Sequence, residues 1–392
     1  MLNEDILYAI MDCLACSDGY HSTVASLMHL SRAIYHAGGK VLAAEVQLDT
    51  PSHVASFIQF CRAERGLRLP YVRNLTLSVG SLLPDLAASL EDLVKKMTHL
   101  RRLCLLNAEQ LLESSENMVS AFQSLEELKE IEIRAGGKLS QTLLGSIRCS
   151  LTAMTLDFGD YTLIQPSLLG HSRSSVESIA IINSRLPITV GEAPYSAVRR
   201  LLLSAPIGSS LSVRPYIACF PNLTNLTIIP RWREGNPPQA ASSYPITKGR
   251  RTAQRLVNQR FQQVMGSWNG LAEVNGTVHA IWALGLACRA EKLALEMFGV
   301  DDEMDHIIQL LQEARPRILE LSTSIDNIRK NIFGKAVVGI EELESVCILL
   351  ELPSSGGVQL EREEASLKES TASAINSGAL PIYHVPLTFK SR

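Results

Sequence analysis

Aliphatic residues recur along this chain in one figure. An apolar residue is followed by two unconstrained positions, a second apolar residue, one spacer and a third. The figure occurs at Val72-Leu75-Leu77, Leu100-Leu103-Leu105, Leu128-Ile131-Ile133, Leu151-Met154-Leu156, Val176-Ile179-Ile181, Val198-Leu201-Leu203 and Leu223-Leu226-Ile228. It resumes at Ala290-Leu293-Leu295, Pro316-Leu319-Leu321 and Leu343-Val346-Ile348, and a weaker copy, Ala43-Val46-Leu48, precedes the first. Successive starts lie about 22–28 residues apart, save one gap of about 67 between Leu223 and Ala290. Two alternating apolar residues predict a short strand with one buried face.

Between the strands lie stretches of helical character. Thr50-Pro51 reads as an N-cap followed by proline at the first helical position, with Val54, Phe57, Ile58 and Cys61 on one face. Pro84-Asp85 opens a second stretch carrying Leu86, Leu90, Leu93, Val94 and Met97, and residues 117–127 a third through Met118, Phe122 and Leu125. One strand and one helix cannot bury their apolar faces alone, so neighbours must stack. The spacing resembles that of leucine-rich repeats, which implies an irregular solenoid with a parallel inner sheet. Most units lack the Asn or Cys usual after the strand; Asn107 and Asn183 approximate it.

The array leaves three segments over. Residues 230–289 are expected to be an insertion, opening on the loop-like Arg231 to Pro238 and continuing into a helix from about Thr252 to Met265. Residues 231–260 hold seven basic side chains (Arg231, Arg233, Lys248, Arg250, Arg251, Arg255 and Arg260) against Glu234. That balance fits either an electropositive contact or a solvated loop and helix face. Residues 354–392 follow the flexible Ser354 to Gly357 and are expected to form a cap or tail. Residues 1–42 predict three short helices. The first carries Leu2, Ile6, Leu7, Ile10 and Leu14, the second spans Ser22 to Met28, and the third runs from Leu30 to His36, with Gly38-Gly39 as its stop. Residues 43–353 then form the solenoid.

The stretch Leu2-Asn3-Glu4-Asp5-Ile6-Leu7, with Ile10 and Leu14, resembles the opening of an F-box. Leu30-Ser31-Arg32-Ala33-Ile34-Tyr35 resembles its later Val-Ser/Cys-Arg/Lys stretch. The layout is similar to that of divergent fungal-type F-box/leucine-rich-repeat proteins, although Asn3 stands where proline is usual and no Trp follows Arg32. The resemblance implies a trihelical F-box ahead of the solenoid. It implies a non-catalytic substrate receptor of a cullin–RING (Skp–cullin–F-box) ubiquitin ligase, with a Skp-family adaptor, a cullin behind it and a target protein as partners. The adaptor-facing residues would be Leu2, Ile6, Leu7, Ile10, Leu14, Leu30 and Tyr35. The competing reading is a leucine-rich-repeat interaction scaffold with a vestigial F-box and no ligase.

Strand alternation places the spacer residues on the sheet face opposite the apolar ones. The candidates for target binding there are Arg102, Glu130, Glu132, Arg134, Asp157 and Arg200. Long charged side chains on a rigid sheet suit recognition of a protein surface.

Composition narrows the classes further. Lys and Arg number 37 against 40 Asp and Glu, a net charge of −3, so a dedicated nucleic-acid binder is not expected. Hydrophobic residues make up 46 % and aromatic ones 5 %, an aliphatic core suited to thin regular layers. The opening Met1 to Asp5 carries neither basic nor apolar run, and the most apolar stretch, Val278 to Ala287, falls short of the ~20 residues of a membrane span. A cytoplasmic or nuclear protein is expected, with its eight cysteines as small core residues. Ala37 to Lys40 lacks the first Gly and the Ser/Thr of a P-loop, and Cys13-Leu14-Ala15-Cys16 has no second ligand pair for zinc. No catalytic residue, metal or cofactor is expected.

Overall fold

The computed structural model describes residues 21–63, 66–163, 170–185, 194–206, 211–231, 248–297, 303–324, 342–352 and 387–391, together with Ile6, Ala9 and Ile10. The chain divides into two compact units, Met1–Pro187 and Ile188–Arg392. Each is an α/β stack in which consecutive strands pair in parallel and in chain order.

In the first unit the strands are β1 (Glu45–Leu48), β2 (Asn74–Leu77), β3 (Arg102–Leu105), β4 (Glu130–Ile133), β5 (Ala153–Leu163) and β6 (Ser178–Arg185). The register stacks like on like: Leu75 on Leu103, Ile131, Met154 and Ile179, and Leu77 on Leu105, Ile133, Leu156 and Ile181. All ten are buried, as are Val72, Leu100, Leu128, Leu151 and Val176 at the first position of each figure. The second and third positions of the apolar triplets therefore form two continuous ladders, and each aliphatic side chain buried contributes about 1.5–3 kcal/mol.

The connections are helical: α1 (His21–Leu27), α2 (Arg32–Ala44), α3 (Pro51–Arg62), α4 (Pro84–Val94), α5 (Ala108–Leu112), α6 (Met118–Gln123) and α7 (Lys138–Ser146). Thr50 caps α3, its hydroxyl accepting from the His53 N–H at 3.2 Å, and Val54, Phe57, Ile58 and Cys61 are buried, as their spacing predicts. Neighbouring helices pack on one another, α3 on α4 and α6 on α7. Asn107 donates to the Ser78 carbonyl one repeat earlier, tying two strand ends together.

One expectation for the N-terminal segment fails. Gly38-Gly39 does not stop a helix; α2 runs through both glycines to Ala44 and enters β1 directly. A Cβ on Gly38 would lie 2.3 Å from Met28 Cγ, so the glycine serves the close approach of α1 to α2.

The second unit contains β7 (Arg200–Pro206), α8 (Arg214–Cys219), β8 (Asn225–Arg231), α9 (Lys248–Met265), β9 (Leu271–Thr277), α10 (Val278–Leu284), β10 (Ala290–Glu296), α11 (Glu303–Ala314), β11 (Ile318–Ser324), β12 (Ser345–Leu352) and β13 (Leu387–Ser391). Leu201, Leu226, Val274, Leu293, Leu319 and Val346 form one ladder.

Here the reading of 230–289 as an insertion needs correction. The stretch supplies α9, a full strand β9 and α10, so the apparent gap holds a further repeat. The triplet figure breaks at β9 because Gly276 stands in register with Ile228 and Leu295. A Cβ there would come within 2.7 Å of the Ile228 carbonyl and 3.1 Å of Ile281 Cδ1. Gly276→Ala is expected to cost about 1–2 kcal/mol through overpacking, read as a lowered urea midpoint; an unchanged midpoint would show that the strand can shift to make room. The 354–392 tail also contributes β13, parallel to β12, at its end.

Candidate functional site

On the first unit the residues between the buried ladder positions build a polar face. Asn74, Arg102 and Glu130 stand side by side in one row, and Thr76, Cys104, Glu132 and Thr155 in the next. Four of the predicted target-binding residues come together there. Arg102 Nη2 lies 3.7 Å from Glu132 Oε2, Arg102 Nε lies 3.8 Å from Glu130 Oε2, and Arg134 Nη2 lies 2.7 Å from Glu132 Oε1. Arg102, Glu130 and Arg134 are about half exposed at the side chain, whereas Glu132 is sheltered at the centre. Exposed pairs of this kind contribute about 0–1 kcal/mol each. Their main consequence is a surface of mixed charge held in fixed register.

Asp157, on β5, behaves differently from the other four. Its Oδ2 accepts from Asn183 Nδ2 at 3.0 Å and its Oδ1 from the Gly159 N–H at 3.0 Å. Both oxygens thus serve the irregular ends of β5 and β6, where the register shifts and Asn183 adopts φ 53°. Arg200 opens β7 in the second unit and is exposed. That unit carries its own polar row, Arg200, Asn225, Glu273 and Lys292 in register. Lys292 Nζ reaches Glu320 Oε2 at 2.9 Å and Glu273 Oε1 at 3.2 Å, and the Glu320 hydrogen bond leads the rise of its pKa above the ordinary lysine value. Glu273 was invisible to the triplet pattern because β9 carries Gly276 at the third apolar position.

The N-terminal helices offer a second surface. Of the seven residues expected to face an adaptor, Leu2, Leu7 and Leu14 lie outside the described residues. Ile6, Ile10, Leu30 and Tyr35 are all exposed. The packing between α1 and α2 is made instead by Val24 and Ile34, with Leu27, Met28, Ala37, Val41 and Leu42 around them. Ser31 caps α2, accepting from the Ile34 N–H at 3.2 Å. Buried Arg68 then fastens this helix to the first repeat: Nη2 donates to the Tyr35 hydroxyl at 2.8 Å, Nη1 donates to the Phe60 carbonyl at 3.1 Å, and the guanidinium sits 4.0 Å from the Phe60 ring centre.

Two thiols of the first unit, Cys104 and Cys61, are tuned away from nucleophilic work. Burial, with Glu132 beside it, pushes the Cys104 thiol up to about 12, and burial does the same for Cys61. Among the described residues no three His, Cys, Asp or Glu side chains gather in a way that could hold a metal ion. No helix among them is long and apolar enough to cross a membrane. No protein-family model matches the chain, and no curated protein does.

One sequence-level candidate is overturned outright. Arg255, counted among the basic side chains of an exposed segment, is 6 % exposed at the side chain. It donates to both Glu313 oxygens and to the Trp282 carbonyl, and its guanidinium lies 4.8 Å from the centre of the Trp282 ring. The arginine is a strut between α9, α10 and α11. Its neighbours Arg250 and Arg260 are exposed.

Proposed function

We propose that this chain is a non-catalytic recognition subunit of a Skp–cullin–F-box type ubiquitin ligase. Its N-terminal helices would dock a Skp-family adaptor, and through it a cullin, while the polar sheet face around Arg102, Glu130, Glu132 and Arg134 would receive a target protein. The observation that carries this reading is the division of labour in the N-terminal segment. Val24 and Ile34 close its interior, so Ile6, Ile10, Leu30 and Tyr35 are left as an apolar surface with no part in that core. Exposed apolar side chains on a helical segment braced against a larger body are what a helical adaptor requires.

The test is co-purification with a Skp-family adaptor. The wild-type chain is expected to recover the adaptor, and Leu30→Asp to lose at least about tenfold of it, since a charge in the centre of an apolar interface is strongly unfavourable. Equal recovery by both forms would sink the proposed docking surface. A second reading, an interaction scaffold without a ligase, is favoured by Tyr35, whose hydroxyl is already engaged by Arg68. It predicts that neither form recovers the adaptor while target capture by the repeats persists.

A further inference from the structure

Helix α9 is turned inside out. Its buried positions are polar: Arg255, Asn258 and Gln262. Its exposed positions include four large apolar side chains: Leu256 is 60 %, Val257 62 %, Val264 75 % and Met265 68 % exposed. The inward side has a clear purpose. Helix α10 ends with carbonyls that no further turn can satisfy. Arg255 donates to the Trp282 carbonyl, Asn258 Nδ2 to that of Ala283 at 3.0 Å, and Gln262 Nε2 to those of Leu284 at 3.2 Å and Gly285 at 2.7 Å. Asn258 also clamps the segment before α8, accepting from the Val213 N–H at 3.2 Å and donating to the Leu211 carbonyl at 3.0 Å. The helix is thus anchored by side-chain hydrogen bonds, and nothing in that anchoring uses the apolar face.

The outer face has a defined layout. Leu256, Arg260 and Val264 follow one another at intervals of four residues, and Val257 lies three before Arg260, so the arginine sits within the apolar stripe. Neither Arg250 nor Arg260 makes an ion pair among the described residues, and α9 holds five basic residues and no acidic one. We propose that the outer face of α9 is a docking site for an acidic amphipathic helix of a partner protein. The partner would lay two or three aliphatic side chains over Leu256, Val257 and Val264 and set a carboxylate against Arg260. Charge selects this occupant over the others. A second copy would bring an equally basic helix against Arg260, and a bilayer would draw the central guanidinium toward hydrocarbon. This inference stands whether or not the N-terminal helices hold an adaptor.

A display library of helix-forming peptides selected against the full chain tests it. The expected winners carry aliphatic residues at helical spacing around an acidic position. Labelled versions should bind the wild type and lose about tenfold or more on Arg260→Glu, with recovery when the peptide's acidic residue is changed to Lys. Leu256→Ser with Val264→Ser should also weaken them, while the thermal melt of each variant stays unchanged because these side chains are exposed. Several results would overturn the inference: no enriched peptide, winners indifferent to Arg260→Glu, a chain self-association that Val264→Ser abolishes, or binding to phosphatidylserine vesicles that Leu256→Ser abolishes.

Discussion

Replacing Arg255 with alanine is expected to lower the stability of the second unit by about 3 kcal/mol. Removing one partner of a buried ion pair costs ~3–5 kcal/mol when the other charge is stranded. Glu313 keeps 34 % of its side chain exposed and can rehydrate, which places the loss at the low end. The Trp282 carbonyl loses one of its two donors in the same step, keeping the Gly285 N–H at 3.0 Å, and the indole loses the cation above it. All three tryptophans, Trp232, Trp268 and Trp282, belong to this unit, so a urea titration followed by tryptophan fluorescence reports it selectively. Arg260→Ala, at an exposed position of the same helix, should stay within about 0.5 kcal/mol of wild type. The double change Arg255→Met with Glu313→Leu should recover part of the loss, because neither charge is then left without its partner. Equal midpoints for Arg255→Ala and Arg260→Ala would refute the strut.

The second large effect concerns Glu109 in the first unit. Helix α7 begins without a side-chain cap of its own, and the carboxylate of Glu109, from α5, takes that place. It accepts from the N–H groups of Gly137 at 2.7 Å, Leu139 at 2.8 Å and Ser140 at 3.1 Å, and from the Ser140 hydroxyl at 2.9 Å. A negative charge among the free N–H groups of a helix start is favoured by both hydrogen bonding and the helix dipole. Glu109→Ala should cost about 2–3 kcal/mol, since it leaves sheltered donors without an acceptor. Burial works to raise the pKa of this carboxyl, but the backbone donors of Leu139 and Ser140, the Ser140 hydroxyl and the Gly137 N–H outweigh it and hold the value below the ordinary 4.5.

The pH dependence follows from that depression. Above the ordinary glutamate value the group is ionised in folded and unfolded chains alike, and its full contribution is present. As the pH falls below 4.5 the unfolded chain takes up the proton first, and the contribution fades until the folded carboxyl is protonated too. Protection of the Leu139 and Ser140 amides, taken as exchange relative to the intrinsic rate at each pH, should therefore fall in acid for the wild type. In Glu109→Gln it should already be low at neutral pH and change much less below pH 4.5 for this reason. Matching acid profiles for the two forms would remove Glu109 from the role of cap.

Much of the strand order was legible before any coordinates, because a triplet of apolar residues needs no distant information to define a strand and its buried face. Leu75, Leu103, Ile131, Met154 and Ile179 stack as their spacing alone requires. The polar rows were legible for the same reason, which is why Arg102, Glu130, Glu132 and Arg134 were placed on one face correctly. The pattern failed at β9, where packing against the Ile228 carbonyl demands a residue with no side chain. A glycine in an apolar position looks like a loop until the neighbouring strand is known. It failed again at Gly38-Gly39, where α2 runs on and the close approach of Met28, just past the end of α1, decides the need for glycine at Gly38 rather than any local preference for ending a helix.

The amino-acid order by itself therefore determined the repeat, the parallel pairing of short aliphatic strands and the faces on which charged residues stand. These depend on periodicity, and periodicity is local. Only the tertiary structure decided which charged residues are braces and which are free to meet a partner. Arg255 and Arg260 are alike in the sequence, yet one is sealed beneath α10 and bonded to the Trp282 carbonyl while the other stands in solvent. Glu109 and Glu130 differ in the same way, one capping a helix from an adjacent repeat and the other lying on an open sheet. The environment of a charge is set by groups far along the chain, and no spacing rule carries that information.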